Sequence, residues 1–408
     1  MQKPILESNN ILIDSATNNT NSVNDKAARS KATLDFTDGS VEFHDKEGNT
    51  HKSKVSMHWT KAIEERLSYS KLGIILAAGK NSKMFPASMY TSKSIIPVYE
   101  KPAIYYAIAQ LFSCGVTDIV IVANDVNYDI MQLVSTYFSK GKVHIHIVKQ
   151  IHPIGVIDAV YTALEYIRDN DYLTIDESSR IYLYLADNVY VRRHYDIAKM
   201  VDKQPYADIS LLVHYTSMPE KFGIIYEANG KSEKKKYHIE EKPPIRPNWA
   251  SNPISYDGNK GGIAVTGFYV YSNRNNIFIS IIKDFYENKK EHYYSMDKSS
   301  RYTITDFNNA YLHDKNCIVN LNLISGFDES NRCWYDTGVA DGLAEATNAI
   351  REYQRNEDLI IGYPEVEGSK KGFFDIETDF PELFDLNNMN STYVTNVLDY
   401  VKFLRKYK

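Results

Sequence analysis

Cysteine is scarce in this chain: Cys114, Cys317 and Cys333 are the only three in 408 residues. An odd number so widely spaced offers neither a disulfide framework nor the paired spacing of a zinc site, and it fits buried thiols in a reducing compartment. Equally absent is an apolar run of about 18 residues, the length that would cross a bilayer. The polar start MQKPILESNN lacks the charged-then-apolar order of a secretory signal. A cytoplasmic protein with no membrane partner is therefore expected, and the sequons at Asn18 and Asn390 are chance matches in that setting. Nor is there a surplus of positive charge. The 47 Lys and Arg face 52 Asp and Glu, a net charge of −5, so no nucleic-acid partner is expected, and any anion-binding charge has to be local.

What is present is a hydrophobic fraction of 43%, enough for one large α/β domain with appendages or for two domains. Residues 1–31, rich in Asn, Ser and Thr, bury too little to offset the entropy of ordering and are expected to form a flexible tail. Residues 32–70 are expected to be an accessory piece. In it Leu34, Phe36, Val41 and Phe43 alternate around Asp38-Gly39 as in a small β-hairpin, and Val55, Trp59, Ala62, Ile63 and Leu67 fall on one face of an amphipathic helix. The stretch has two readings, a docked appendage or an element that contacts a partner or regulates the site.

From Leu72 onward strands and helices alternate: a strand to Ala77, a helix from Pro102 to Cys114, a strand over Asp118–Ala123, and another over Val143–Val148. This rhythm predicts a mostly parallel sheet with ligands at the carboxyl ends of its strands. The first strand runs into Ala78-Gly79 and then meets Lys80, Ser82, Lys83 and, further on, Lys93. Free main-chain N–H groups beside ammonium groups and hydroxyls suit a phosphate, although a strand ending in a small-residue turn is equally consistent with packing alone. His144 and His146 share a strand face, and with no third ligand in view they are ordinary strand histidines. Further along, Val394, Val397, Leu398, Val401 and Leu404 make the apolar stripe of a last helix that packs on the core or on another copy.

LAAGKNSKMFP followed by SKSIIPVYEKPAIYYAI resembles the opening motif of the sugar-nucleotide pyrophosphorylases, and VYEKPAIYY is most similar to the glucose-1-phosphate thymidylyltransferases. The resemblance extends from Leu72 nearly to the end, through an ordered series of motifs: KQIHPIGVIDAV, RIYLYLADN, KFGIIY, IEEKP, AVTGFYVY, YTITDFNNAYL and CWYDTG. It implies a Rossmann-like, mixed but mostly parallel sheet flanked by helices, of the nucleotide-diphospho-sugar transferase type. The nucleotidyltransferase domain would span 71–345, behind a small N-terminal extension, with a helical C-terminal part over 346–408 packed on the core.

The resemblance also implies roles. Lys83, Lys93 and Lys242 would be catalytic, Lys83 holding the triphosphate, Lys93 meeting the phosphate under attack and Lys242 placing the sugar phosphate. Leu76, Ala78, Gly79 and Ser82 would form the nucleotide loop, with Gln150 and Gly155 at the base. Gly223, Glu241, Val265 and Thr266 would line the sugar pocket, and Asp187 and Asp336 would hold Mg²⁺. Asp306 would serve structure, not chemistry. The expected partners are a pyrimidine nucleoside triphosphate (dTTP or UTP) and a sugar 1-phosphate, with a homo-oligomer, a tetramer by family analogy. One departure stands out: Asn81 and Lys83 replace the family's glycine and arginine, and an ammonium offers a point charge where a guanidinium would grip two oxygens. A non-catalytic, sugar-nucleotide-binding regulator or scaffold is therefore an alternative, as is a glycosyltransferase, for which DNVY at Asp187 is a poor match to a D-x-D metal motif.

Overall fold

The computed structural model describes residues 32–35, 40–44 and 50–54, then 70–357 apart from 80–81, 90, 126, 129–130, 132–142, 152–154, 171–172, 229–235, 245–260, 288–302, 315 and 325–331, and finally 361–362. The chain divides into two compact units, Met1–Tyr69 and Ser70–Lys408. In the first, the strands Ala32–Asp35, Ser40–His44 and Thr50–Lys54 form an antiparallel meander, with Leu34 opposite Val41 and Val41 opposite Ser53. The sequence led us to expect two strands here, and a third, Thr50–Lys54, completes the sheet. The expected helix at 55–67, the expected tail and the expected last helix with its apolar stripe lie outside the described residues.

The second unit is built on a nine-stranded sheet. Its parallel half comprises β1 (Lys71–Leu76), β2 (Asp118–Ala123), β3 (His144–Lys149) and β4 (Arg180–Leu185), in the spatial order β3-β2-β1-β4. In-register pairs such as Ile74 with Val120 and Leu76 with Leu185 hold them parallel. Helices cover both faces, so β1 and β2 are apolar runs without alternation, and Ile74, Ile75, Val120 and Ile121 are fully buried. The strand order reverses between β1 and β4. A crevice opens outside their carboxyl ends at such a switch point, and both the Gly79 loop and Asp187 start there.

After β5 (Asn188–Tyr190) the antiparallel half is added: β6 (Ile209–Thr216), β7 (Gly223–Ala228), β8 (Lys236–Glu241) and the long β9 (Gly262–Ser272), which pairs with β4, β6 and β7. β10 (Val319–Leu323) lies parallel to β6 at the edge. A separate two-stranded ladder joins β5 to β11 (Trp334–Asp336). The helices described are α1 (Ala103–Ser113), α2 (Val156–Arg168), α3 (His194–Val201), α4 (Ile277–Glu287), α5 (Ile304–Leu312) and α6 (Ala340–Glu357). α5 begins with a capping box in which Asp306 accepts from the Thr303 main-chain N–H at 2.7 Å, a structural task as expected. α6 buries Ala346 and Ile350 and runs unbroken through 345–346, where the sequence suggested a boundary.

All three cysteines are free thiols; Cys114 and Cys333 are buried, and burial pushes the half-buried Cys317 up to about 12. His144 pairs with Asp118 at 3.1 Å and His146 faces the Tyr166 hydroxyl at 3.4 Å, so each has a neighbour of its own. Among the described residues no three His, Cys, Asp or Glu side chains cluster as a metal cage, and no helix is long and apolar enough to cross a membrane.

Candidate active site

Asp187 sits two residues past the end of the largely buried strand β4, and Asp336 closes β11. The ladder between β5 and β11 sets Asn188 opposite Asp336, so a pairing across nearly the whole core places the two acids side by side. The turn is then clamped twice, because the Thr337 N–H and hydroxyl both donate to the Asp187 carbonyl, at 2.7 and 2.9 Å. Gly338 follows directly. A Cβ placed on it would lie 2.8 Å from Asp187 Oδ2, 2.9 Å from Asp336 Oδ1 and 3.2 Å from Lys93 Nζ. Two carboxylates and one ammonium thus converge on a single small volume.

Lys93 forms a salt bridge to Asp187 Oδ2, and Asp336 Oδ1 accepts from the Gly338 N–H at 2.9 Å. Burial works against the Lys93 ammonium, but Asp187, with help from Asp336, outweighs it and leaves its pKa above the ordinary value. Asp336 is raised by burial and by the neighbouring Asp187 charge, which the Gly338 N–H, Lys93 and Lys83 offset only in part. Like charges this close favour sharing a cation. Two hard oxygen donors on short side chains are what a small divalent ion takes from a protein when substrate phosphates and water complete its shell.

Asp187 is aimed by residues that the sequence had not singled out. Its Oδ1 accepts from Asn188 Nδ2 at 3.0 Å, and Asn188 Oδ1 accepts from Trp334 Nε1 at 2.7 Å. The indole can only donate and the carboxylate can only accept, so the Asn188 amide has one orientation. Gly267 makes room for it, since a Cβ there would be 2.2 Å from Asn188 Nδ2. The signal was present in the residues flanking the two aspartates, DN and WYDTG, but which flanking residue touches which acid depends on the ladder.

Among the residues expected to meet a nucleotide, Leu76 ends β1, the Ala77 and Ala78 carbonyls are pinned by Asn127 and Asn124 at 3.0 and 3.2 Å, and Gly79 is exposed, 3.5 Å from Lys93 Cε by its would-be Cβ. The loop therefore runs beside the acid pair. Lys83 lies exposed on the short 3-10 turn Ser82–Met84; Lys80, Asn81 and the Ser82 side chain lie outside the described residues. Gln150, 3% exposed just after β3, donates through Nε2 to Asp158, and Gly155 is the N-cap residue of α2.

Among the residues expected to meet a sugar, Gly223 is paired with Glu241 across β7 and β8. Glu241 Oε2 accepts from the Thr305 hydroxyl at 2.8 Å, and Oε1 pairs with Lys242 Nζ at 2.8 Å. Lys93 is thus brought to the acid pair, whereas Lys242 is exposed and turned to Glu241. Val265 lies on β9 at the margin of burial, 9% exposed. Thr266 does not present its hydroxyl to a ligand: it is 1% exposed, donates to the Leu212 carbonyl at 2.9 Å and accepts from the Tyr190 hydroxyl at 2.7 Å.

A family model for nucleotidyl transferases matches residues 72–353. Among curated relatives, the glucose-1-phosphate thymidylyltransferase of Mycolicibacterium smegmatis is 26% identical over 309 residues, 74% of this chain and 90% of that protein. The protein of the same name from Neisseria meningitidis is 29% identical over 292 residues, 71% of this chain and 85% of that protein. In fold the chain is similar to a crystal structure, in complex with sucrose, of a Bacillus anthracis protein provisionally named a glucose-1-phosphate thymidylyltransferase. The TM-score is 0.51 and the identity 24%, covering 69% of this chain and 96% of that one.

Proposed function

The chain belongs to the nucleotidyl transferase family, and on that premise we propose that it transfers a nucleotidyl group from dTTP or UTP to a sugar 1-phosphate, glucose 1-phosphate foremost. A phosphate oxygen of the sugar attacks the α-phosphorus, the bond from that phosphorus to the oxygen bridging it to the β-phosphate breaks, and pyrophosphate leaves. The nucleophile is already anionic at neutral pH, so no general base is required. The task is to bring two polyanions into line and neutralise them.

The observation that carries this proposal is the convergence of Asp187, Asp336 and Lys93 beside Gly338. Lys93 keeps its proton there because of its acid partner, and its ammonium is the group suited to the phosphate under attack. Lys83 and the main-chain N–H groups after Gly79 would hold the triphosphate, Lys242 would receive the sugar phosphate, and Glu241, held by Thr305, would accept from sugar hydroxyls. Asp187 and Asp336 fit Mg²⁺, which when bound supplies charge neutralisation at the α-phosphate. The stretch from residue 71 through α6 would be the catalytic core and 32–70 an accessory piece, in an enzyme that works in the cytoplasm and assembles with further copies of itself.

The test is a screen of sugar 1-phosphates against each nucleoside triphosphate with pyrophosphate release as the readout, on the wild type and on Asp336→Asn. Turnover with dTTP or UTP that falls by roughly three orders of magnitude in the variant, with the fold retained, is expected. An unchanged rate in Asp336→Asn would falsify the assignment, and binding without turnover in the wild type would point to the non-catalytic alternative.

A further inference from the structure

We infer that Asp158 is a positioning residue that selects the nucleobase, by fixing which end of the Gln150 amide faces the ligand. The inference rests on the function proposed above, in which Gln150 meets the base. Gln150 follows β3, with its main-chain N–H bound to the Ala123 carbonyl at 2.8 Å. Asp158 lies in the first turn of α2 and is 8% exposed. Gln150 Nε2 donates to Asp158 Oδ2 and, more weakly, to the Gly155 carbonyl at 3.4 Å.

Both groups around that nitrogen only accept. A Gln amide can be turned end for end at little intrinsic cost, but here the reversed form would press its oxygen against a carboxylate and a carbonyl in a site nearly closed to water. The amide therefore has one direction, with NH₂ towards α2 and Oε1 away from it. Among the described residues no donor is bound to Gln150 Oε1. The protein thus offers an acceptor to the base, and the complementary ligand is one that brings a ring N–H, as the imide of uracil and thymine does. Cytosine carries a lone pair at the same ring position, and two acceptors would then face each other.

A carboxylate in the first turn of a helix is also favoured by the helix dipole alone. A purely structural Asp158 would change stability and leave base preference untouched, which gives the two roles different readouts. In Asp158→Asn the neighbour of Gln150 can donate as well as accept, so both amide directions become available. Asp158→Ser removes the carboxylate without adding bulk and gives a second, independent variant.

The experiment compares kcat/KM for UTP, dTTP and CTP with one sugar 1-phosphate, in wild type and both variants, alongside calorimetric binding of UDP and CDP. The wild type should prefer the imide bases, and the preference over cytosine should fall at least tenfold in either folded variant, mainly through a gain with CTP. Binding of UDP and CDP should converge in parallel. An unchanged preference in the variants overturns the inference while the transferase activity stands, as does a wild type that accepts CTP as readily as UTP. A wild type that neither binds nor turns over any triphosphate overturns the proposed function and this inference with it.

Discussion

Gly338→Ala is the sharpest probe of the acid pair because it adds one methyl group where three charged groups already meet. The backbone tolerates it: Gly338 does not adopt the left-handed φ found at Gly115 and Gly362, so alanine brings no conformational strain and tightens the unfolded chain slightly, an effect of about 0.4–1 kcal/mol in favour of folding. The cost is local. Contacts of 2.8 and 2.9 Å to Asp187 Oδ2 and Asp336 Oδ1 must open towards ordinary van der Waals separation, which moves each carboxylate by roughly half an ångström, about the tolerance within which a catalytic constellation works. Misplacement on this scale, up to an ångström, costs up to about 10²-fold in rate. We therefore expect pyrophosphate release to fall about 30- to 100-fold and half-saturation with Mg²⁺ to move to higher concentration, while the thermal midpoint stays within a few degrees of the wild type. A Gly338→Ala enzyme with kcat within about twofold of wild type and an unchanged Mg²⁺ dependence would refute the argument that the pair works because it is this close.

Two further outcomes follow from buried polar contacts. Trp334→Phe keeps the ring that meets Phe222 at 5.0 Å but leaves Asn188 Oδ1 without its donor; urea unfolding should show a loss of about 1–3 kcal/mol, with a fall in kcat of roughly tenfold as Asp187 loses its fixed aim, and an unaltered kcat would separate the relay from the chemistry. His194 is fully buried between Gln110 and the Gly362 N–H, and burial, aided by the Lys101 charge, depresses its pKa to about 3. The folded state holds it neutral while the unfolded chain protonates it near pH 6.5, so its contribution is complete above that pH and is lost as acid is added down to about pH 3. Between pH 7 and pH 5 this amounts to about 2 kcal/mol, read from denaturation curves at the two pH values. An equally steep loss in His194→Gln would exclude this residue as the source.

The parallel half of the sheet was legible because buried strands flanked by helices leave continuous apolar runs, and the runs at Ile74–Ala77 and Ile119–Ala123 are of that kind. The acids Asp187 and Asp336 were legible as motifs. What they touch was not, because Asn188 meets Trp334 only through a ladder between segments 146 positions apart. The motif around Thr266 predicts a pocket wall but not the partners of its hydroxyl, which come from β6 and β5 in the folded sheet: the Leu212 carbonyl and the Tyr190 hydroxyl. Asp158 carries no signal of its own in the sequence, because its contact with Gln150 exists only once the first turn of α2 packs beside the end of β3. In each case local pattern fixes the element, and only the tertiary neighbour decides what a polar atom is free to do.

The ladder of β5 and β11 has a consequence for how the protein comes into being. Synthesis delivers the Gly79 loop and the first acid early, and the second acid emerges from the ribosome only after most of the sheet has been made. N-terminal parts generally fold first during translation, so a nascent chain halted before Trp334 carries one carboxylate with no counterpart. Such a fragment should be inert towards cellular triphosphates, and chemical competence should arrive in one late step, when β11 zips onto Asn188–Tyr190.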